Sequence, residues 1–219
     1  MRLRNHNHTT LMLLFLAPLV LSLADFIAIL LLIADKSDLA VEDGLLESAQ
    51  VLLLISALMI LLYRGRSLPS GSLQIYMIGL ILFCISAILR EVDIEKYSLP
   101  QAIIFIGSGF GKKVMLALCW LSFFIFCSSR ARSLVLSAPL FMKTSAGIVL
   151  VISGMFLLVG GVFDRQYLEV ANAQFYEELM EFNAYLMLVL ATMLIDTRQT
   201  IPYGLRVSEM GSSPSNIHY

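Results

Sequence analysis

Histidine is missing from the interior of this chain. Its three copies, His6, His8 and His218, lie within the first and last ten residues, and the His6/His8 pair reads as part of a solvated tail. Without imidazole in the apolar part, the usual zinc sites and a Ser/His pair for acyl transfer are excluded there. Cysteine is as scarce. Cys84, Cys119 and Cys127 all fall inside apolar runs, so neither a disulfide framework nor a CxxC site is indicated, and they read as small core residues. Charge is also in short supply, at 14% against 58% hydrophobic residues, with a mean hydropathy of +0.84. That balance lies outside the soluble globular range and points to an integral membrane protein.

What the chain has instead is long apolar runs. Its 219 residues leave room for about six spans of ~20 residues with short loops, and for no ordinary water-soluble domain. The predicted fold is an all-α membrane bundle of six helices at about 11–34, 45–63, 73–89, 101–128, 144–163 and 176–195, forming a single domain over 1–200 with a polar tail at 201–219. Residues 22–24 imitate a signal-peptidase site, but the apolar run continues well past them, so an uncleaved anchor is expected. In the fourth region Lys112 and Lys113 leave 114–127 short for a span, so the lysines are drawn inward or snorkel to the surface, and Gln101 to Gly111 is open to a re-entrant or interfacial reading. Gly147, Gly154 and Gly161 recur every seven residues and are expected to form a helix-packing face.

Sidedness follows from the charges. Six spans place both termini together, and the side holding Arg2, Arg4, Arg64, Arg66, Arg130, Arg132, Lys143, Arg198 and Arg206 carries a net +7, whereas the opposite side carries −7. The excess of Lys and Arg assigns the first side, with both termini, to the cytoplasm. The acidic side then faces outward.

The stretch 175–185, FYEELMEFNAY, brings three carboxylates into the start of the last run. As a helix it aligns Glu177, Glu181 and Tyr185 on one stripe, with Glu178 beside them. Counting ~1.5 Å per residue from the cytoplasmic ends puts Glu47, Lys113 and Glu181 roughly 21–24 Å up within a ~30 Å core, with Arg90, Glu91 and Asp164 a little above. Ionisable groups at such depth are costly and are functional candidates by default. The predicted pocket comprises Glu47, Glu91 and Glu181 as candidate catalytic or metal-ligating carboxylates, with Gln50, Arg90, Lys112, Lys113, Asp164, Glu177, Glu178 and Tyr185 around them. Crowded carboxylates favour one protonated member able to serve as general acid or base, or else they bind a hard cation such as Mg²⁺, Ca²⁺ or Mn²⁺ through oxygen ligands. Membrane peptidases of the CAAX-protease type are excluded, since they pair glutamates with membrane histidines. The competing expectation is a structural network in which Glu47, Glu91 and Glu181 pair with Arg90, Lys112 and Lys113. Asp25, alone inside the first span, is expected to make a bonded contact within the bundle with Ser or Thr neighbours.

EDGLLE at 42–47, REVD at 90–93 and EELME at 177–181 together resemble a loosely defined, uncharacterised group of small bacterial multi-pass membrane proteins. That resemblance implies a bacterial inner-membrane location and no particular activity. The functions expected from the residues are an outward-facing carboxylate-rich pocket for a cation or a cationic or lipid-borne substrate, enzymatic or not; a non-catalytic membrane scaffold; or a cation or proton transporter with Asp25 as its deeper site. The expected partners are the lipid bilayer and either another membrane protein or a second copy of the chain, with no nucleic acid.

Overall fold

The computed structural model describes residues 21, 25, 45–66, 71–92, 100–165 and 172–195, and the regular structure among them is entirely helical. The helices are α1 (Leu45–Gly65), α2 (Ser72–Glu91), α3 (Gln101–Gly107), α4 (Gly109–Ser128), α5 (Ala131–Met142), α6 (Ser145–Asp164) and α7 (Ala173–Leu194). Four of them, α1, α2, α4 and α6, are long and apolar enough to cross a membrane. Leu52, Phe110, Met155 and Leu158 are among the large apolar side chains that these helices expose, the outward display expected of surfaces that meet lipid. The expected first span lies outside the described residues except for Leu21 and Asp25, both helical, and the tail at 201–219 lies wholly outside them.

The centre of the bundle is α7, the helix with the most acidic first half. Twelve of its residues are buried, including Glu181, Asn183 and Thr192. Around it, α1 contributes the stripe Gln50, Leu54, Ala57 and Leu61, spaced for one helical face, and packs with Tyr185 and Leu188. Arg64 at the end of α1 donates to the carbonyl of Ile195 just past α7, where the unpaired carbonyls of a helix C-terminus favour a cation. Gln50 meets Glu178 at the other end, so α1 and α7 run parallel. Both α2 and α6 run antiparallel to α7, because Arg90 and Gly160 meet the start of α7 while Ser153 bonds further along, to the carbonyl of Ala184 at 2.7 Å.

Against α7, α6 uses small residues, but one position earlier than the seven-residue glycine spacing indicates. Ala146, Ser153 and Gly160 are buried on that seam, and a Cβ on Gly160 would stand 3.5 Å from both Glu181 Cγ and Met180 Cβ. A Cβ on Gly154 or Gly161 would meet nothing within 4 Å among the described residues, and Gly147 instead accommodates the tight α5–α6 corner, where a Cβ would run into the carbonyl oxygen of Phe141. The seam with α7 is therefore offset by one residue from the glycine series, because three glycines in register outweigh an Ala/Ser/Gly series in any reading of residue size alone.

The region 101–128 is two helices. Between them Ser108 is extended, Gly109 takes a φ of +50°, and a Cβ on Gly111 would lie 1.8 Å from the carbonyl oxygen of Phe105, so the corner accepts only glycine there. Lys112 and Lys113 thereby fall in the first turn of a 20-residue helix. The additional short helix α5 occupies the residues between the expected fourth and fifth spans and is tied to α2 by Tyr76, whose hydroxyl donates to the carbonyl of Leu134 at 2.7 Å. Of the cysteines only Cys84 is a core residue; Cys119 is exposed on peripheral α4, since nothing packs outside that face among the described residues.

Candidate functional site

The ends of α2 and α6 and the beginnings of α1, α4 and α7 lie at one end of the bundle and carry the candidate residues. Antiparallel packing produces this gathering. It sets the C-terminal turn of α2, with Arg90 and Glu91, beside the third turn of α7, with Glu181, while the end of α6 brings Asp164 to the same end. Arg90 is the hub. Its Nε donates to Glu91 Oε1 at 3.0 Å and its Nη2 donates to Glu181 Oε2. The two carboxylate side chains are nearly buried, at 7% and 6% exposure, whereas the Arg90 side chain remains 56% exposed. A guanidinium has five N–H donors, and these two contacts use two. The Tyr185 hydroxyl, one turn after Glu181, donates to the same Glu91 oxygen at 3.3 Å.

A second polar contact lies on the α1 side. Gln50 is fully buried, and its Nε2 donates to Glu178 Oε2 at 2.7 Å and to the Glu178 carbonyl at 2.9 Å. Its Oε1 has no partner among the described residues. Glu177 is half-buried and lies within electrostatic reach of Asp164, Glu181, Arg90 and Glu91. Arg90 therefore faces more carboxylate than it neutralises.

The lysines do not join this group as expected. Lys112 Nζ donates to the carbonyl of Leu89 at 2.8 Å, satisfying the open C-terminal end of α2, and Lys113 points outward. Of the proposed structural network, the Arg90 pairs with Glu91 and Glu181 are present; the lysine pairs are not among the ion pairs of the described residues. Glu47 sits one turn before Gln50 on α1 and is not part of the Arg90 group. Among the described residues, no three His, Cys, Asp or Glu side chains converge as a metal site would require, so Glu47, Glu91 and Glu181 are not gathered as oxygen ligands of one ion.

Between α2 and α6, with α7 as its floor, lies a cleft of about 300 Å³. Arg90 and Ser86 line one wall, Asp164 and Gly161 the other, and Glu181 and Tyr185 the base, with Phe83, Ala87 and Leu157 closing the apolar part. The open space beside Gly161 is this cleft. Its volume is at the small end of ligand pockets. Comparison with protein-family models, curated proteins and solved structures finds no match for this chain.

Of the candidates, Arg90, Asp164, Glu181 and Tyr185 border the cleft, and Glu91 is bonded behind it. The sequence reading missed the apolar walls and also Asn183, which is fully buried and whose Nδ2 donates to Asp25 Oδ1 at 2.8 Å. The signal was present in both cases. Phe83, Ala87 and Arg90 share a face of α2, as Leu157, Gly161 and Asp164 do of α6, but periodicity alone does not say that the two faces meet across a gap. Asp25 is bonded within the bundle, but to the amide of Asn183 on α7 rather than to the expected Ser or Thr.

Proposed function

We propose that this is a six-span bacterial inner-membrane protein with both termini cytoplasmic, whose outward-facing cleft binds a cation or a cationic or lipid-borne substrate. The observation that carries this reading is the cleft itself, in which the exposed Asp164 and the buried Glu181 converge beside an apolar wall, with Glu91 and Glu177 adding negative charge nearby. One guanidinium offsets part of that charge, and the remainder favours a positive group on a ligand whose apolar portion lies along Phe83 and Leu157. The alternation of helix directions around α7 supports the proposed topology, since the helix ends that carry Arg90, Glu91, Asp164, Glu177 and Glu178 fall at one end of the bundle and Arg64 falls at the other.

The test is thermal melting of the purified full-length protein in neutral detergent, with dodecylamine as a cationic amphiphile, octyl sulfate as an anionic one, and Mg²⁺, Ca²⁺ or Mn²⁺ as inorganic cations. Dodecylamine is expected to raise the melting temperature, octyl sulfate to leave it unchanged, and Asp164→Asn to remove the rise. Equal responses to both amphiphiles would rule out a site selecting positive charge.

A second reading is favoured by the Arg90 contacts. They tie α2 to α7 in the manner of a structural network within a non-catalytic scaffold. It requires that no ligand shift the melting temperature, and that loss of Glu181 be strongly destabilising.

A further inference from the structure

The two walls of the cleft carry opposite charge, and this bears on the ligand class within the reading just given. On the α2 wall stands Arg90, more than half exposed and with N–H donors left over after its two carboxylate contacts. On the α6 wall stands Asp164, exposed and without an ion pair among the described residues, so its carboxylate faces the same space from the other side. A site for a simple cation has no use for a half-free guanidinium at its mouth, which would repel it. A site for a simple anion has no use for Asp164 and Glu181. A group that carries both charges a few ångströms apart satisfies both walls.

We infer that the cleft recognises a zwitterionic phosphate-and-ammonium group, of the kind carried by an ethanolamine phospholipid, with the phosphate on the free donors of Arg90 and the ammonium at Asp164. Arginine presents a planar fork of donors suited to phosphate oxygens, and charge-assisted bonds of this type are the strong ones. Glu91 and Glu181 hold the guanidinium in place from behind, so its outer edge is presented without further ordering. The volume of about 300 Å³ suits a headgroup rather than a whole lipid. Phe83, Ala87 and Leu157 supply an apolar wall that a free zwitterion in water would not need, which favours the lipid as source. This inference rests on the outward-facing binding cleft proposed above.

The test is native mass spectrometry of the delipidated full-length protein titrated with phosphatidylethanolamine, phosphatidylglycerol, dodecylamine and water-soluble O-phosphoethanolamine. The ethanolamine lipid is expected to bind about tenfold tighter than the glycerol lipid, as one added charge-assisted pair provides. Asp164→Asn should abolish that preference by weakening the ethanolamine lipid alone. Gly161→Leu, whose side chain extends into open space, should weaken both lipids while melting like the parent. Should it melt lower, Asp164→Asn still decides the matter, because that exposed, isosteric change leaves the fold intact. Soluble O-phosphoethanolamine binding as tightly as the lipid would uphold the charge pairing and assign it to the free zwitterion instead. Equal affinity for the two lipids overturns the inference. If dodecylamine still binds in that case, the cationic cleft stands without the headgroup; if it does not, both readings fall.

Discussion

Arg90 on α2 donates through Nη2 to Glu181 Oε2 on α7, and this contact joins two antiparallel helices at the acidic end of the bundle. It differs from a sealed ion pair in one respect. Glu181 is buried and Arg90 is not, so solvent screens part of the interaction. Breaking a fully buried pair typically costs ~3 to 5 kcal/mol, and an exposed one ~1 or less. Glu181→Gln is therefore expected to cost about 1–2 kcal/mol, since Arg90 keeps Glu91 and the glutamine retains a carbonyl acceptor. Glu181→Lys, which sets a second cation against Arg90, should cost distinctly more. Detergent melting of the two variants checks this, and equal stability of parent, Gln and Lys forms would mean that the pair has no energetic role.

The α6–α7 seam yields a phase-sensitive prediction. At Gly160 the neighbours Glu181 Cγ and Met180 Cβ stand at ordinary contact distance from an added methyl but leave no room for more. Gly160→Ala should be neutral or slightly stabilising, while Gly160→Leu should cost about 1–3 kcal/mol by overpacking. Gly154→Leu, with nothing within 4 Å among the described residues, should melt like the parent. The reverse order would place the seam on the 147/154/161 register instead.

Gln50 offers a test of polar burial. Replacing it with leucine removes both bonds to Glu178 and leaves that carboxylate without its amide partner beneath α1, a loss of the kind that costs about 1–3 kcal/mol. Gln50→Glu should be worse, because it opposes carboxylate with carboxylate. Thermal melting distinguishes them, and a leucine variant as stable as the parent would show that Glu178 finds another partner.

The contact between Asn183 and Asp25 supplies an isosteric test. Asn183 Oδ1 is buried without a partner among the described residues. Asp25→Asn retains an acceptor for Asn183 Nδ2 and adds a donor that can reach Oδ1, so stability is expected to hold or rise by up to ~1 kcal/mol, whereas Asp25→Leu should lose about as much or more. A strong loss in Asp25→Asn, read by the same melting assay, would mean that the charge itself is needed at that position.

Sidedness is tested by fusions to a reporter active only outside the cytoplasm. Activity is expected after Ser98 and after Ala173, and none after Ser67 or Ser137. The opposite pattern would turn the cleft toward the cytoplasm and remove the outward-facing reading.

Hydropathy and charge spacing alone determined that the described residues are helical, that α1, α2 and α6 stand where long apolar runs predict them, and that Arg90, Glu91 and Asp164 fall at the same end of the bundle as Glu181. Those properties depend on the rise per residue and on the cost of placing charge in hydrocarbon, both of which act along a single chain. Tertiary structure decided the rest. That Arg90 rather than Lys112 or Lys113 pairs with Glu181 depends on α2 reaching α7 while Lys112 is spent on the Leu89 carbonyl. That Gly160 rather than Gly161 meets α7 depends on the rotation of α6, one residue or about 100° of turn, which no residue-size pattern specifies. The break at Ser108 depends on Gly111 lying against the backbone of Phe105, a contact between two helices that the composition of 101–128 does not display. The cleft exists because α6 packs on α7 while α2 packs on α1 and reaches α7 through Arg90 and Glu91, which leaves a gap between α2 and α6, and a gap between two surfaces belongs to neither sequence segment alone.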